Sequence, residues 1–303
     1  MRRWVISGNQ SLTKNCSRRL SVGEHLTTQR SRRSSLRVLL LNKLGVTALR
    51  KCLNIASRFF AINKKVCDKV APHLPQAKSD IFGLYERIVA QYMNSRTGQV
   101  IVDVGGGRAC VFAKYRHPAA EAKIIAVDKS EEALKSNVNV DEKVVANVLE
   151  KLPFGEEEID LLVSRAVLEH LENLNDFIDN SKELCKAGGY HIHVFPSKFS
   201  PFALINQILP HALSQKVLYS IAPQSKGTCG FPAYYDNCYY TGFTRLLKKH
   251  GFEVVEVHLS YYQSPYFAFF LPLFLVSAVY EAFIRVLGVK DLAAYVLVVA
   301  RKQ

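Results

Sequence analysis

Val100-Ile101-Val102-Asp103-Val104-Gly105-Gly106-Gly107-Arg108-Ala109 sets an apolar run against an acid and three consecutive glycines. Val100 to Val102 read as a buried parallel strand, Asp103 closes it, and Gly105 to Gly107 let the backbone come close to a bound ligand. A second apolar run, Lys123 to Val127, ends in Asp128, 25 residues beyond Asp103. A carboxylate at the tip of the second strand of a nucleotide-binding sheet is placed to accept hydrogen bonds from ribose hydroxyls. The pattern predicts a cofactor that carries a ribose.

Asp103 narrows the kind of nucleotide. Where a glycine turn faces a pyrophosphate, the anion sits on a helix N-terminus and an acid at that point repels it. A cofactor bearing a sulfonium and an ammonium instead gains from a nearby carboxylate. On Asp103, Gly105, Gly107 and Ala109 the chain resembles the class I S-adenosylmethionine-dependent methyltransferases, whose first motif reads acidic-x-Gly-x-Gly-x-Gly, with alanine here for the last glycine. Leu152-Pro153-Phe154, the acids Glu156 to Glu158, and Ile159-Asp160-Leu161-Leu162-Val163-Ser164 look like the family's passage into strand four. Val167 to Leu171 look like its post-strand helix start, and Lys186-Ala187-Gly188-Gly189 like its Gly-Gly turn before strand five. The small-molecule "type 11" methyltransferase domains are the nearest pattern.

The resemblance implies an α/β fold, a Rossmann-like, seven-stranded, mostly parallel sheet with helices on both faces. Strands six (Phe252 to His258) and seven (Ala294 to Ala300) would pair antiparallel. It implies S-adenosylmethionine as cofactor, with Asp103, Gly105, Gly107 and Asp128 contacting it and Ser164 at the end of strand four beside them. Many relatives bond the adenine amino group through an aspartate where Val148 stands here, so the amide oxygen of the adjacent Asn147 is the candidate substitute.

The 303 residues suffice for one or two domains with a sizeable core. Seven cysteines, at 16, 52, 67, 110, 185, 229 and 238, show neither disulfide nor metal-ligand spacing, so no metal is expected and a reducing, intracellular compartment is the default. Residues 1 to 67 hold 15 Lys and Arg against Glu24 alone, while the other 236 residues hold 25 basic and 25 acidic side chains. All the excess charge thus lies in the N-terminal part. Nucleic acid is disfavoured as a partner, because its enzymes carry a basic face on the fold itself.

Residues 1–35 read as a disordered or targeting extension, with a mitochondrial transit peptide and a lipid-touching basic tail both open. Residues 36–79 hold a basic amphipathic helical segment, in which Leu41, Leu49, Cys52, Ala56, Phe59 and Phe60 recur at helical spacing opposite Lys43, Thr47, Arg50, Asn54 and Arg58. It either packs on the catalytic domain or lies on an anionic membrane. The methyltransferase domain runs over 80–303. Its helix 80–95, with Tyr85, resembles the one that precedes strand one in the family and covers the cofactor.

Two stretches interrupt that domain. Leu259 to Tyr280 has no charged side chain over 22 residues, inside an apolar insert spanning 259–290. A single membrane crossing is excluded, because it would place two hydrogen-bonded strands on opposite sides of the bilayer, and Pro265 and Pro272 break a uniform helix. A buried cap and a monotopic dip into one leaflet both remain. The other stretch, 196–240, has a helix expected from Pro201 to Ile221 and an aromatic run from Phe231 to Tyr240, and it overhangs the strand ends where an acceptor binds.

Methyl transfer is an in-line displacement at a sulfonium, so alignment supplies much of the rate, and a base helps if the acceptor is a hydroxyl. His193 near the end of strand five, His170 after strand four and Asp236 are the candidates. Each has a structural alternative, a hydrogen-bonded core histidine for His193 and a helix start for His170. Three functions compete: a methyltransferase acting on a small or lipid-linked acceptor with peripheral membrane contact, a soluble one whose insert covers its own site, and a non-catalytic partner protein. Location follows as cytoplasmic and membrane-associated, or mitochondrial if residues 1–35 are a transit peptide.

Overall fold

The computed structural model describes residues 54, 55, 57–210 and 232–303. The expected extension 1–35, most of the amphipathic helix and residues 211–231 of the acceptor insertion lie outside the described residues. The chain divides into Met1–Phe60 and Ala61–Gln303, and the sheet with its helices belongs to the second unit.

Seven strands, β1 (Val100–Val104), β2 (Lys123–Asp128), β3 (Glu142–Val145), β4 (Ile159–Arg165), β5 (Cys185–Pro196), β6 (Phe252–Ser260) and β7 (Tyr295–Lys302), form one sheet in the order β3-β2-β1-β4-β5-β7-β6. β1 lies between β2 and β4 in parallel, with Val102 opposite both Ile125 and Leu162. β7 runs antiparallel to β5 and to β6, as expected of strands six and seven.

β1, β2 and β4 are nearly continuous apolar runs because both faces of a parallel sheet are covered. Val102, Val104 and Leu162 face one way, against Phe177 of α4 (Leu174–Leu184) and Phe243 and Leu247 of α6 (Tyr240–Lys249). Ile101, Leu161, Val163 and Ile192 face the other way, against Ile88, Val89 and Met93 of α2 (Ile81–Met93). Each such fully buried side chain contributes about 1.5–3 kcal/mol. α2 starts where Asp80 accepts a 2.9 Å hydrogen bond from the Gly83 amide, and α4 where Asn173 accepts from Asn175 and Asp176. The remaining α-helices among the described residues are α1 (61–70 within this unit), α3 (Glu131–Ser136), α5 (Pro201–Ile208) and α7 (Leu271–Leu287).

Several local expectations change in the folded chain. No α-helix follows the glycine turn: residues 105–122 run through two single 3-10 turns, Ala113–Tyr115 and Pro118–Ala120. Cys110 and Phe112 are drawn into the core beside α2, and Pro118 keeps His117 extended, so a continuous helix cannot form. The expected Gly-Gly turn before strand five is part of β5, where a β-bulge between Ile159 and Leu161 absorbs Gly188 at φ 76°. The helix start at Val167–Leu171 is a 3-10 turn, Leu168–His170, and α4 begins later. The helix from Pro201 stops at Ile208, because the residue before Pro210 is pushed to an extended conformation.

The apolar insert leaves β6 at Ser260 and rejoins β7 at Tyr295, and these two residues are register partners. Pro265 sits in a 3-10 turn, Ser264–Phe267, and Pro272 in the first turn of α7, where a missing N–H costs nothing. Gly288, at φ 64°, ends α7 in the left-handed conformation. The inner side of α7 buries Phe274, Ala278 and Ile284. Glu281, fully buried on that side, accepts hydrogen bonds from the amides of Gln263 and Ser264, from Gln76 Nε2 at 3.1 Å and from Ser277 Oγ at 3.2 Å. With the Ser264 hydroxyl at 3.4 Å, five donors satisfy one buried carboxylate and tie the insert to the chain before α2.

Candidate active site

The carboxyl ends of β1, β2 and β4 meet at the glycine turn. Gly105 and Gly106 donate their amides to the Val127 carbonyl at 2.8 and 3.2 Å, which draws the turn over β2. A Cβ on Gly106 would lie 2.7 Å from that of Ala126, and one on Gly105, at φ 70°, 2.4 Å from Val167. The turn therefore accepts no side chain at either position. Asp128 Oδ2 accepts from the Gly107 amide at 3.1 Å and Oδ1 from Ser130 at 2.8 Å. An ionised carboxylate has about four lone-pair sites, so capacity for a diol remains beyond these two bonds.

Asp103 lies at the floor of the turn, buried and opposite Ala126 and Val163. Burial raises its carboxyl to about 7; a hydrogen bond from the Cys110 thiol opposes the rise and Asp128 adds to it. Tyr85 of α2 is fully buried near Asp103, and its hydroxyl has no hydrogen-bond partner among the described residues. Arg165, at the end of β4, holds its guanidinium 4.8 Å over the Phe82 ring. A buried carboxyl poised near neutrality, an unmatched hydroxyl and a turn that forbids side chains fit a cationic nucleoside. With no α-helix after the turn, the helix N-terminus that would hold a pyrophosphate is absent from 105–122.

The structure thus gathers Asp103, Gly105, Gly107 and Asp128 at one place. Asn147 makes none of these contacts: it is exposed and its amide is spent locally, Nδ2 on Glu150 at 3.0 Å and Oδ1 on the Leu149 amide. Val148 beside it is in the core. Ser164 and His193 are register partners across β4 and β5, fully buried, with Ser164 Oγ 2.7 Å from His193 Nδ1.

The His193 ring packs between Phe177 and Phe243, with His191 alongside at 5.3 Å between ring centroids. Both histidines share a face as strand alternation predicts, but that face is the helix-covered core. Burial holds His193 well below its ordinary pKa and His191 down at about 3.

His170 and Asp236 lie on the loops that meet after β4. His170 Nδ1 donates to the Pro232 carbonyl at 2.7 Å, and burial lowers its pKa. Asp236 Oδ2 accepts from the Leu174 amide at 2.9 Å, at the start of α4. Between them the Glu169 carbonyl accepts from the amides of Tyr234 and Tyr235. Motif reading singles out His170 of the Glu-His pair; the buried partner is Glu169. Tyr266 and Tyr295, whose hydroxyls bond each other, also escape a linear search, since nothing in the spacing links them.

Residues 102–193 match the model of the "Methyltransferase domain" family. No curated protein matches the chain. Among solved structures it is similar to geranyl diphosphate C-methyltransferase from Streptomyces coelicolor A3(2), in complex with Mg2+, geranyl-S-thiolodiphosphate and S-adenosyl-L-homocysteine, at 12% identity, over 73% of this chain and 76% of that one, with a TM-score of 0.47. It is also similar to Haemonchus contortus phosphoethanolamine N-methyltransferase 2 in complex with S-adenosyl-L-methionine, at 15% identity, over 73% and 52% of the two chains, with a TM-score of 0.45. By the family match residues 102–193 form a methyltransferase domain. Both of those solved structures hold S-adenosyl-L-homocysteine or S-adenosyl-L-methionine.

Proposed function

We propose that this chain is an S-adenosylmethionine-dependent methyltransferase that works on a small or lipophilic acceptor at a membrane surface, with Asp103, Gly105, Gly107 and Asp128 holding its cofactor. The observation that carries the membrane reading is the outer side of α7. Val276, Val279, Phe283 and Val286 recur at three- and four-residue steps and are 65, 70, 61 and 86% exposed. Leu273, Leu275 and Leu287 widen the stripe, and Val289 extends it past the helix end. A contiguous apolar face of this kind marks an interaction site. Asn63 Oδ1 accepts from the Leu271 amide, which sets α1 at the start of α7, and α1 exposes Ile62 and Val66 among Lys64, Lys65 and Lys69. Apolar side chains fringed by lysine suit an anionic lipid surface.

The contact is peripheral in this reading. Among the described residues no helix is long and apolar enough to cross a membrane, and the insert begins and ends on the paired residues Ser260 and Tyr295. The soluble alternative draws on the inner side of α7, which covers Phe274 and Ile284. Flotation with vesicles of one-third anionic lipid separates the two. Val276→Ser, Val279→Ser and Phe283→Ser combined should cut the bound fraction at least ten-fold without changing S-adenosylhomocysteine affinity; an unchanged bound fraction removes the membrane reading.

A further inference from the structure

Glu169 is a carboxylate whose place in the fold leaves one of its oxygens unmatched. It is 4% exposed; Oε1 lies 3.8 Å from His170 Nε2, and Oε2 has no hydrogen-bond partner among the described residues. Burial raises its pKa to about 8. A buried carboxylate oxygen without a partner is costly, and such a group marks a place where a ligand can complete it.

Its surroundings say what would complete it. Tyr235 and Tyr295 both lie within electrostatic reach of Glu169, and Tyr266 within reach of both tyrosines. The Tyr266 and Tyr295 hydroxyls bond each other and Asn206 engages that of Tyr235, and none of the three is hydrogen-bonded to Oε2. Phe202 stacks on Tyr266 with ring centroids 4.3 Å apart and planes 9° apart. Aromatic rings around a buried anion recognise a cation, and an ammonium brings three donors for the empty lone pairs of Oε2. An alcohol brings no charge to offset the one on Glu169.

The site adjoins the cofactor side. After β4 the chain turns at Ala166, whose φ is 53°, and Val167 packs against Gly105, so Glu169 follows two residues after the side chain that meets the glycine turn.

We propose that Glu169, with Tyr235, Tyr266 and Tyr295, receives the ammonium group of an amine acceptor and takes up its proton for N-methylation. This rests on the methyltransferase reading and gives its acceptor a chemical class. The ammonium gives a proton to Glu169 Oε2 and becomes a neutral amine. The nitrogen lone pair forms the bond to the methyl carbon as the carbon–sulfur bond breaks, its electron pair staying on sulfur to leave a neutral thioether. The product departs as a methylammonium, and Glu169 returns its proton to water.

Calorimetry on the full chain saturated with S-adenosylhomocysteine, at about pH 8, tests this with octylamine and octan-1-ol as probes. Octylamine should bind at least ten-fold more tightly than octanol. Glu169→Gln, which keeps the shape, should abolish that difference and leave S-adenosylhomocysteine affinity within two-fold. Equal binding of the two probes to the wild type, or an octylamine affinity indifferent to Glu169→Gln, overturns the proposal while the cofactor reading stands. Failure of S-adenosylhomocysteine to bind overturns both. The wild-type comparison needs no variant, so it decides even if the substitution prevents folding.

Discussion

Ser164 Oγ and His193 Nδ1 lie 2.7 Å apart across the β4–β5 ladder, both fully buried beneath α4 and α6. This pair holds two neighbouring strands together inside the core. His193→Ala should therefore destabilise the protein by about 2–4 kcal/mol, through the cavity and the stranded Ser164 hydroxyl. Cofactor affinity of the folded variant should stay within two-fold. Urea unfolding and calorimetry read the two effects, and a stable variant without cofactor affinity would return His193 to the reaction.

The same histidines set a pH dependence of stability. Burial depresses His191 to about 3 and His193 well below its ordinary value, so the unfolded chain binds more protons than the folded one in acid. Stability is full above the unfolded value of about 6.5 and falls as pH drops from there toward 3. Replacing His191 by Phe should flatten that slope, measured as urea midpoints between pH 7 and pH 4.

Asp103 has the opposite sign. Its folded value, raised to about 7, means the folded chain keeps a proton that the unfolded chain releases, so this group's favourable share of stability is lost as pH rises toward 7. Asp103→Asn should raise stability above pH 7, by on the order of 2 kcal/mol. It should also weaken S-adenosylmethionine binding at least ten-fold, since the sulfonium and ammonium lose the charge that faces them. In the wild type, affinity should fall as pH is lowered below 7. Thermal melts and binding isotherms over pH 6 to 8.5 check both, and an affinity independent of pH would count against Asp103 as the cation's counter-charge.

Glu281 anchors the insert. Glu281→Ala leaves the Gln263 and Ser264 amides, Gln76 and Ser277 without their acceptor and should cost about 3–5 kcal/mol, felt mainly by the insert. Hydrogen exchange should quicken in residues 261–290 while β1, β4 and β5 stay protected. Uniform loss of protection would mean that α7 and the sheet unfold together.

Much of the sheet is legible in the sequence because a strand buried on both faces must be apolar throughout. Val100–Val104, Lys123–Asp128 and Ile159–Arg165 stand out for that reason, and the acids Asp103 and Asp128 mark their ends. The corner that joins Asp103, the glycine turn and Asp128 follows from the same runs, since residues at the carboxyl ends of adjacent parallel strands meet. The segment after Gly107 was not legible: an alanine-containing stretch can form a helix, and only the burial of Cys110 and Phe112 beside α2 diverts it into 3-10 turns.

The histidines mark the same divide. Alternation along β5 determines that His191 and His193 share a face, but which face looks at the core depends on where α4 and α6 land, a choice made by contacts far apart in the chain. The placing of Glu169 within electrostatic reach of Tyr235 and Tyr295 is likewise a product of the assembled sheet, because β7 returns between β5 and β6 and carries Tyr295 back to the insert. By itself the sequence determined the strands and the glycine turn, since local periodicity and backbone sterics are written residue by residue. Tertiary structure alone decided which ionisable groups are buried without partners, because burial is a property of what the rest of the chain packs against them.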